Sequence, residues 1–382
     1  MLKLPSTLDQ LHQLVSLHSV SSTQPGLDQG NRAVIDTLAS WLTDLGFSIE
    51  IQELNADGSK ANLIATLGSG PGGLVLAGHT DTVPFDEELW QFDPLAITER
   101  DGKLYGLGST DMKGFFPLII AAASDFADTA LKQPLIILAT ADEESSMAGA
   151  KALAAAGHPR ARQAIIGEPT GLRPIRLHKG IIMEAVSILG NSGHSSDPSL
   201  GNNALDGLHQ VLGELMQYRE TLQQRFQHSM FDVQYPTLNF GCVHGGDNPN
   251  RICGSTELHF DVRATPGCSN ELVRNEIRQL MDRVASSSGL QISVESLITG
   301  AEAFEQSAEC ELVQLAEKLT GHTGGAVAFA TEAPYLQQLG MDTIILGPGS
   351  IDRAHQPDEY IELDQFTPCI DLLRQFIRHF CV

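Results

Sequence analysis

The apolar run Leu74-Val75-Leu76-Ala77 stops at Gly78 and is followed by His79-Thr80-Asp81, and it constrains this chain more than any other stretch. A short apolar run bounded by a turn signal reads as a strand buried on both faces, the usual state in a parallel sheet. In open α/β sheets, functional groups collect just past the carboxyl ends of strands. A histidine there can bind a metal through one ring nitrogen. The other nitrogen then needs an acceptor, and Asp81 is placed for that job. Taken alone, the stretch also reads as a polar loop with an incidental His and Asp.

The pattern recurs. Leu135-Ile136-Ile137-Leu138-Ala139-Thr140 runs into Asp142-Glu143-Glu144, and Ala164-Ile165-Ile166 runs into Gly167-Glu168-Pro169-Thr170. Thr343-Ile344-Ile345-Leu346 leads to Gly347-Pro348-Gly349-Ser350, with His355 beyond. The turn from Gly106 to Gly114 presents Asp111 ahead of an apolar helix over about 115 to 127. It lacks the third glycine of a dinucleotide fingerprint. A lone Asp near a helix start is more often an N-cap than a ligand, and a surface loop tolerates three adjacent carboxylates. Ser145 or Ser146 is expected to cap the alanine-rich helix that follows. Together, strand ends bearing His79 with Asp81, Asp111, Glu143 with Glu144, and Glu168 have the composition of a carboxylate-bridged two-metal centre. Glu143 and Glu144, read as an extended pair, point opposite ways, so that one can coordinate while the other faces water.

Ahead of these motifs, a helix over 6–18 is expected, capped by Ser6 or Thr7, and then a second helix that Gly46 ends. After about residue 175 the pattern changes to strand, helix, strand, strand, helix, strand, the order of a ferredoxin-like module. The predicted architecture is an α/β domain with a mostly parallel sheet, interrupted by an α+β insertion. The expected boundaries are 1–174 and 303–382 for the first domain and 175–302 for the insertion.

The formal net charge of −23 argues against general nucleic-acid binding, because such a chain repels phosphate backbones. No apolar run approaches the length needed to cross a bilayer, and the opening Met1-Leu2-Lys3-Leu4-Pro5 lacks the features of a signal peptide. The six cysteines include no Cys-x-x-Cys pair. That suits reduced thiols in a cytoplasm rather than a disulfide framework, with core packing as their default role.

With these residues assembled, the chain resembles the M20 family of dinuclear zinc amidohydrolases over nearly its whole length. The matching motifs are Gly78-His79-Thr80-Asp81, Gly108-Ser109-Thr110-Asp111-Met112-Lys113-Gly114, Glu143-Glu144 and Gly193-His194. Ile166-Gly167-Glu168-Pro169-Thr170, His244-Gly245-Gly246-Asp247, Asn250-Arg251-Ile252-Cys253 and Ala354-His355-Gln356-Pro357-Asp358-Glu359-Tyr360 look like the acetylornithine-hydrolysing branch.

The resemblance implies a zinc-exopeptidase-like catalytic domain with an inserted lid and dimerisation domain. It implies two divalent metal ions, zinc with cobalt able to substitute. His79 and Glu168 would hold one, Glu144 and His355 the other, and Asp111 would bridge them. Asp81 would orient His79, and the Asp111–Met112 peptide would be cis. Glu143 would be the general base for water shared by the metals, and His194 from the other subunit of a homodimer would steady the oxyanion. Asn250 and Arg263 would grip the substrate carboxylate and Glu332 its side-chain ammonium. Arg263 also fits a structural salt bridge. The implied reaction is hydrolysis of N2-acetyl-L-ornithine to L-ornithine and acetate in arginine biosynthesis. The rivals are an aminoacylase, a dipeptidase, a succinyl-diaminopimelate hydrolase, or a metal-binding scaffold without catalysis. A nucleotide-binding protein is disfavoured, since no Walker motif exists.

Overall fold

The computed structural model describes residues 4–382, and Met1-Leu2-Lys3, part of the stretch behind the cytoplasmic expectation, lie outside them. The chain forms two compact units. The first takes the chain up to Arg176 together with Gln306–Gly325 and Thr331–Val382, and the second takes Leu177–Glu305 with Ala326–Ala330. Among the described residues, no helix is long and apolar enough to cross a membrane.

The first unit is built on a mixed sheet. Six of the nine strands of this sheet lie in the order Ser48–Glu53, Ala61–Leu67, Leu135–Thr140, Leu74–His79, Gln163–Pro169 and Asp342–Gly347. The last four run parallel, and the first two are antiparallel additions at one side. The parallel strands are the apolar runs of the sequence. Leu74–His79, Leu135–Thr140 and Gln163–Pro169 are buried along their whole lengths, as strands covered on both faces must be. Helix Thr7–Ser16 starts with a capping box, in which the Ser6 hydroxyl accepts from the Asp9 N–H and the Asp9 carboxylate accepts from the Ser6 N–H. Its Leu11 and Leu14 join Leu38, Leu42, Phe116, Leu118, Phe376 and Ile377 in one core. Each such side chain contributes roughly 1.5–3 kcal/mol on burial.

Parallel strands leave the sheet at a common edge, and here that edge carries the chemistry. His79 pairs level with Thr140 on one side, while Ala77 pairs with Ile166 on the other. Two residues further on, His79 and Glu168 therefore stand level, flanked by the loop that begins just after Thr140.

Three local expectations are corrected. Asp111 does not lie at a strand end. It sits in a turn between the short strand Lys103–Tyr105 and helix Phe115–Ser124, and the Asp111–Met112 peptide bond within that turn is cis. It is not an N-cap either, because Gly114 holds that position. Neither Ser145 nor Ser146 caps helix Ala148–Ala156, whose N-cap is Met147 in the left-handed region. Ser145 is drawn away by a hydrogen bond with the Ser21 hydroxyl. Glu143 and Glu144 are not extended but lie in a turn, entered through Asp142 at φ 60°.

The second unit is a four-stranded antiparallel sheet ordered Thr237–Gly245, Ser255–Arg263, Ile181–Leu189, Gln291–Ala301. Helices Ala204–Arg225 and Asn270–Ser288 cover one face, where Val211, Leu215, Leu258, Phe260, Val273 and Ile277 are buried. The first strand of the module lies between the third and the fourth, which is the ferredoxin-like arrangement.

Candidate metal centre

Two histidines meet a group of carboxylates in the first unit. His79 Nε2 is 3.0 Å from Asp111 Oδ1 and 3.9 Å from Glu168 Oε1. His355 Nε2 is 3.0 Å from Glu144 Oε1 and 3.4 Å from Asp111 Oδ2. Asp111 thus lies between the two imidazoles, one oxygen toward each. Two donor groups share His79: His79 with Glu143 and Glu168, and His79 with Asp111 and Glu144, each with one ligand atom per residue and all within 4.8 Å of one another.

The hydrogen bonding of His79 shows what such a site needs. Its Nδ1 is 3.0 Å from the Asp81 backbone carbonyl, which can only accept, so Nδ1 carries a proton. In a neutral ring, Nε2 is then a bare lone pair. It faces two carboxylates, which are themselves acceptors. Only a proton or a cation resolves that arrangement. The donor set of imidazole nitrogens and carboxylate oxygens suits zinc or its first-row neighbours, so the residues present fit a pair of divalent ions.

The electrostatics point the same way. Burial raises the Glu143 carboxyl well above its usual range, and the neighbouring Glu168 raises it further. Glu168 is pushed up by burial and then by Asp111. Burial also works against the Asp111 carboxylate, but hydrogen bonds from His355 and His79 outweigh it and hold Asp111 well below the usual range. Hydrogen bonds to Asp111 and then to Glu144 raise His355 to about 10. Burial lifts Asp81 to about 6. Buried like charges of this kind require offsetting positive charge.

The side chains that hold the centre were only partly legible. Asp81 serves both sides: its backbone carbonyl meets His79, and its Oδ2 accepts the Glu144 N–H at 3.0 Å. Asp142 accepts from Lys60 Nζ at 2.7 Å and from the Ser21 hydroxyl at 2.9 Å, which fixes the turn carrying Glu143 and Glu144. Glu359 is the larger omission. It is buried, and it accepts the backbone N–H groups of Gly108, Thr110 and Asp111 at 3.1, 2.8 and 3.0 Å. Its sequence signal is its place four residues after His355 in Ala354-His355-Gln356-Pro357-Asp358-Glu359. Lys113, from the same turn as Asp111, is buried and donates to the Leu17 carbonyl at 2.6 Å.

Glu332 is also buried in this unit. One carboxylate oxygen accepts from Thr140 Oγ1 at 2.9 Å, and the other has no partner among the described residues. Burial raises its carboxyl to about 7.

His194, Asn250 and Arg263 belong to the second unit. The first two are brought onto adjoining loops: His194 bridges to Arg251, and the Ser195 N–H donates to the Asn250 carbonyl at 3.2 Å. Arg263 lies on strand Ser255–Arg263 and pairs through Nε with Asp261 at 2.8 Å.

The chain matches Peptidase family M20/M25/M40 over residues 75–379. It is 48% identical over 385 residues to acetylornithine deacetylase of Pasteurella multocida (strain Pm70), covering 100% of both chains. Among solved structures it is similar to aminopeptidase PepT from Bacillus cereus ATCC 10987, with a TM-score of 0.75, 18% identity and 97% of each chain covered. It is also similar to the YXEP protein of Bacillus subtilis, a dinuclear metal-binding peptidase from the M20 family, with a TM-score of 0.68, 15% identity and 97% of each chain covered.

Proposed function

The chain belongs to peptidase family M20/M25/M40, and from that membership we propose that it is an amide-cleaving metallohydrolase that converts N2-acetyl-L-ornithine to L-ornithine and acetate, a step of arginine biosynthesis. The observation that carries the chemistry is His79, whose Nε2 lies 3.0 and 3.9 Å from the carboxylates of Asp111 and Glu168 while the Asp81 carbonyl holds Nδ1. The end-to-end identity with a deacetylase of that name supports the substrate.

His79 and Glu168 are assigned to one metal ion and Glu144 and His355 to the other, with Asp111 between them. Zinc is the proposed metal, and cobalt is able to replace it. When bound, the two ions supply Lewis acidity toward the acyl carbonyl and lower the pKa of water. Glu143 takes a proton from the attacking water and delivers it to the leaving α-nitrogen as the C–N bond breaks. Its raised pKa, caused first by burial, suits a group that must both accept and return a proton. Asp81 keeps His79 in the tautomer that presents Nε2 to the site.

The developing oxyanion needs a hydrogen-bond donor, and His194 is proposed for it. The Ser196 N–H donates to His194 Nδ1 at 3.2 Å, so in the neutral ring the proton resides on Nε2, which is then free to donate. In this reading His194 comes from a second copy of the chain, and the enzyme is a cytoplasmic homodimer. Asn250 and Arg263 bind the substrate α-carboxylate, with Arg263 exchanging its bond to Asp261 for that contact. The unpartnered oxygen of Glu332 takes the side-chain ammonium.

The test is acetate release from N2-acetyl-L-ornithine, with and without chelator, beside Glu143→Ala. Activity is expected to require metal and to fall by on the order of 10²- to 10⁴-fold in the variant. Lack of activity with zinc or cobalt restored would sink the substrate assignment, and succinyl-diaminopimelate and neutral acyl-amino acids would be tried next.

A further inference from the structure

Cysteine 242 stands apart from its fellows. Cys253, Cys268, Cys369 and Cys381 are buried, whereas Cys242 is exposed on strand Thr237–Gly245 at the edge of the second unit's sheet. The register explains what surrounds it. Phe240 pairs with Phe260, and both pack into the core beneath the helices. The register then shifts at Gly241, so that Cys242 pairs with His259 and His244 with Glu257. Directly opposed residues share a face, and residues two apart on a strand do so as well. Cys242, His244, Glu257 and His259 therefore form a two-by-two array on the open face of the sheet. Without the extra residue, Cys242 would lie on the same face as Phe240. Re-aiming one side chain is what such a bulge does.

The array is already in contact. Cys242 Sγ is 3.1 Å from His244 Nε2, and His259 Nε2 is 2.6 Å from Glu257 Oε1. The ring centres of His244 and His259 are 6.1 Å apart. The second Glu257 oxygen accepts from the Ser187 hydroxyl at 3.1 Å, which fixes that carboxylate from the next strand.

We propose that Cys242, His244 and His259 form a binding site for a thiophilic divalent cation of the zinc class, with Glu257 orienting His259. At ordinary zinc–sulfur and zinc–nitrogen distances, a thiolate and an imidazole nitrogen on one tetrahedral ion lie about 3.6 Å apart, and the centres of two imidazoles roughly 5 Å apart. The sulfur–nitrogen distance of 3.1 Å and the ring-centre distance of 6.1 Å each lie within about an ångström of these values, and with His259 Nε2 engaged by Glu257 it is Nδ1 of that ring that would meet the ion. A sulfur ligand selects zinc, cobalt or copper over magnesium and calcium. On binding, the Cys242 thiol releases its proton to solvent, and both histidines bind as neutral rings. Three protein ligands leave a fourth position for water or an exogenous donor. A carboxylate behind one histidine is the usual arrangement for fixing a metal-binding ring.

Cobalt(II) added to the full-length protein tests this directly. None of His79, Asp111, Glu143, Glu144, Glu168 and His355 is a thiol, so a near-ultraviolet thiolate-to-cobalt charge-transfer band reports the proposed site and not the carboxylate centre. The band is expected in the unmodified chain, to be abolished in Cys242→Ser, and to persist in Cys310→Ser. In His259→Ala the cobalt concentration for half-saturation of the band should rise at least about ten-fold. Absence of the band at saturating cobalt, its survival in Cys242→Ser, or its loss in Cys310→Ser would overturn the proposal. Neither failure of acetylornithine hydrolysis nor loss of the Glu143 effect bears on this readout.

Discussion

The Glu359 carboxylate accepts the backbone N–H of Asp111 at 3.0 Å, across 248 residues of chain. The same carboxylate takes the N–H groups of Thr110 and Gly108. Three donors converge on one buried carboxyl group, so the turn that presents Asp111 is clamped from behind. Burial still raises Glu359 to about 8, with Asp111 adding to the rise, even though the three backbone bonds pull it down.

Glu359→Gln is isosteric, but it points an amide NH₂ group at donors. The turn should loosen and Asp111 should lose its fixed place between His79 and His355. Supporting residues of this kind typically matter 10- to 100-fold in metal affinity, so a loss of about that size is expected in competition with a chelator. The unfolding midpoint of the metal-free protein, measured alongside, separates this from general destabilisation. Unchanged metal affinity would show that the turn is held by its other contacts.

Glu332→Gln tests the side-chain ammonium assignment. Thr140 can still donate to the amide oxygen, so the local hydrogen bond survives while the charge is lost. The ratio of kcat/KM for acetylornithine over neutral acetyl-amino acids should fall by about ten-fold or more, the worth of one charge-assisted contact. Neutral substrates should be hydrolysed as before. An unchanged ratio would remove Glu332 from substrate recognition and leave it as a buried partner of Thr140.

A pH effect on stability follows from His178. The ring is fully buried, and burial lowers its pKa to about 4. The unfolded chain titrates near the ordinary value of about 6.5. The fold therefore favours the neutral ring, and its contribution is complete above about pH 6.5 and is lost as pH falls toward 4. The gap corresponds to about 3 kcal/mol. Urea midpoints at pH 7 and pH 4.5 should draw closer together in His178→Phe than in the unmodified chain. An unchanged difference between the two midpoints would mean that His178 does not contribute to the acid limb.

What the sequence made legible follows from what is local. Leu74–His79 and Leu135–Thr140 announce themselves as buried strands because both faces are covered, and a strand end is a local event. His79, Glu168 and Glu144 could be found because each follows such an end. Glu359 could not be found in that way, since its partners Gly108, Thr110 and Asp111 are backbone groups, which leave no residue signature. Asp81 is legible as the acceptor beside His79, but not the atom that serves: its carbonyl and not its carboxylate makes the 3.0 Å contact. The misread caps at Ser145 and Ser146 have a tertiary cause: Ser21, from a distant segment, competes for Ser145. The bulge at Gly241 was also invisible, because an alternating pattern does not reveal where the alternation slips.

Gly167 joins packing to the metal centre. It precedes Glu168 on strand Gln163–Pro169, and a Cβ there would lie 2.0 Å from Cδ1 and 2.2 Å from Cε1 of Phe115. Phe115 is itself buried, and it opens the helix that follows the Asp111 turn. The ring cannot retreat without moving that turn, and the strand cannot retreat without moving Glu168. Gly167→Ala should therefore cost about 1–3 kcal/mol of stability, the usual range for overpacking a filled core. It should also weaken metal binding by disturbing two assigned ligands at once. Gly26 is the internal control, because a Cβ there meets nothing within 4 Å, so Gly26→Ala should leave the urea midpoint and the metal affinity unchanged. Phe115→Leu, added to Gly167→Ala, removes the clashing ring atoms and should recover part of both losses. A Gly167→Ala variant with the unmodified midpoint and metal affinity would show that Phe115 has room to move, and that the strand and the Asp111 turn are not mechanically linked.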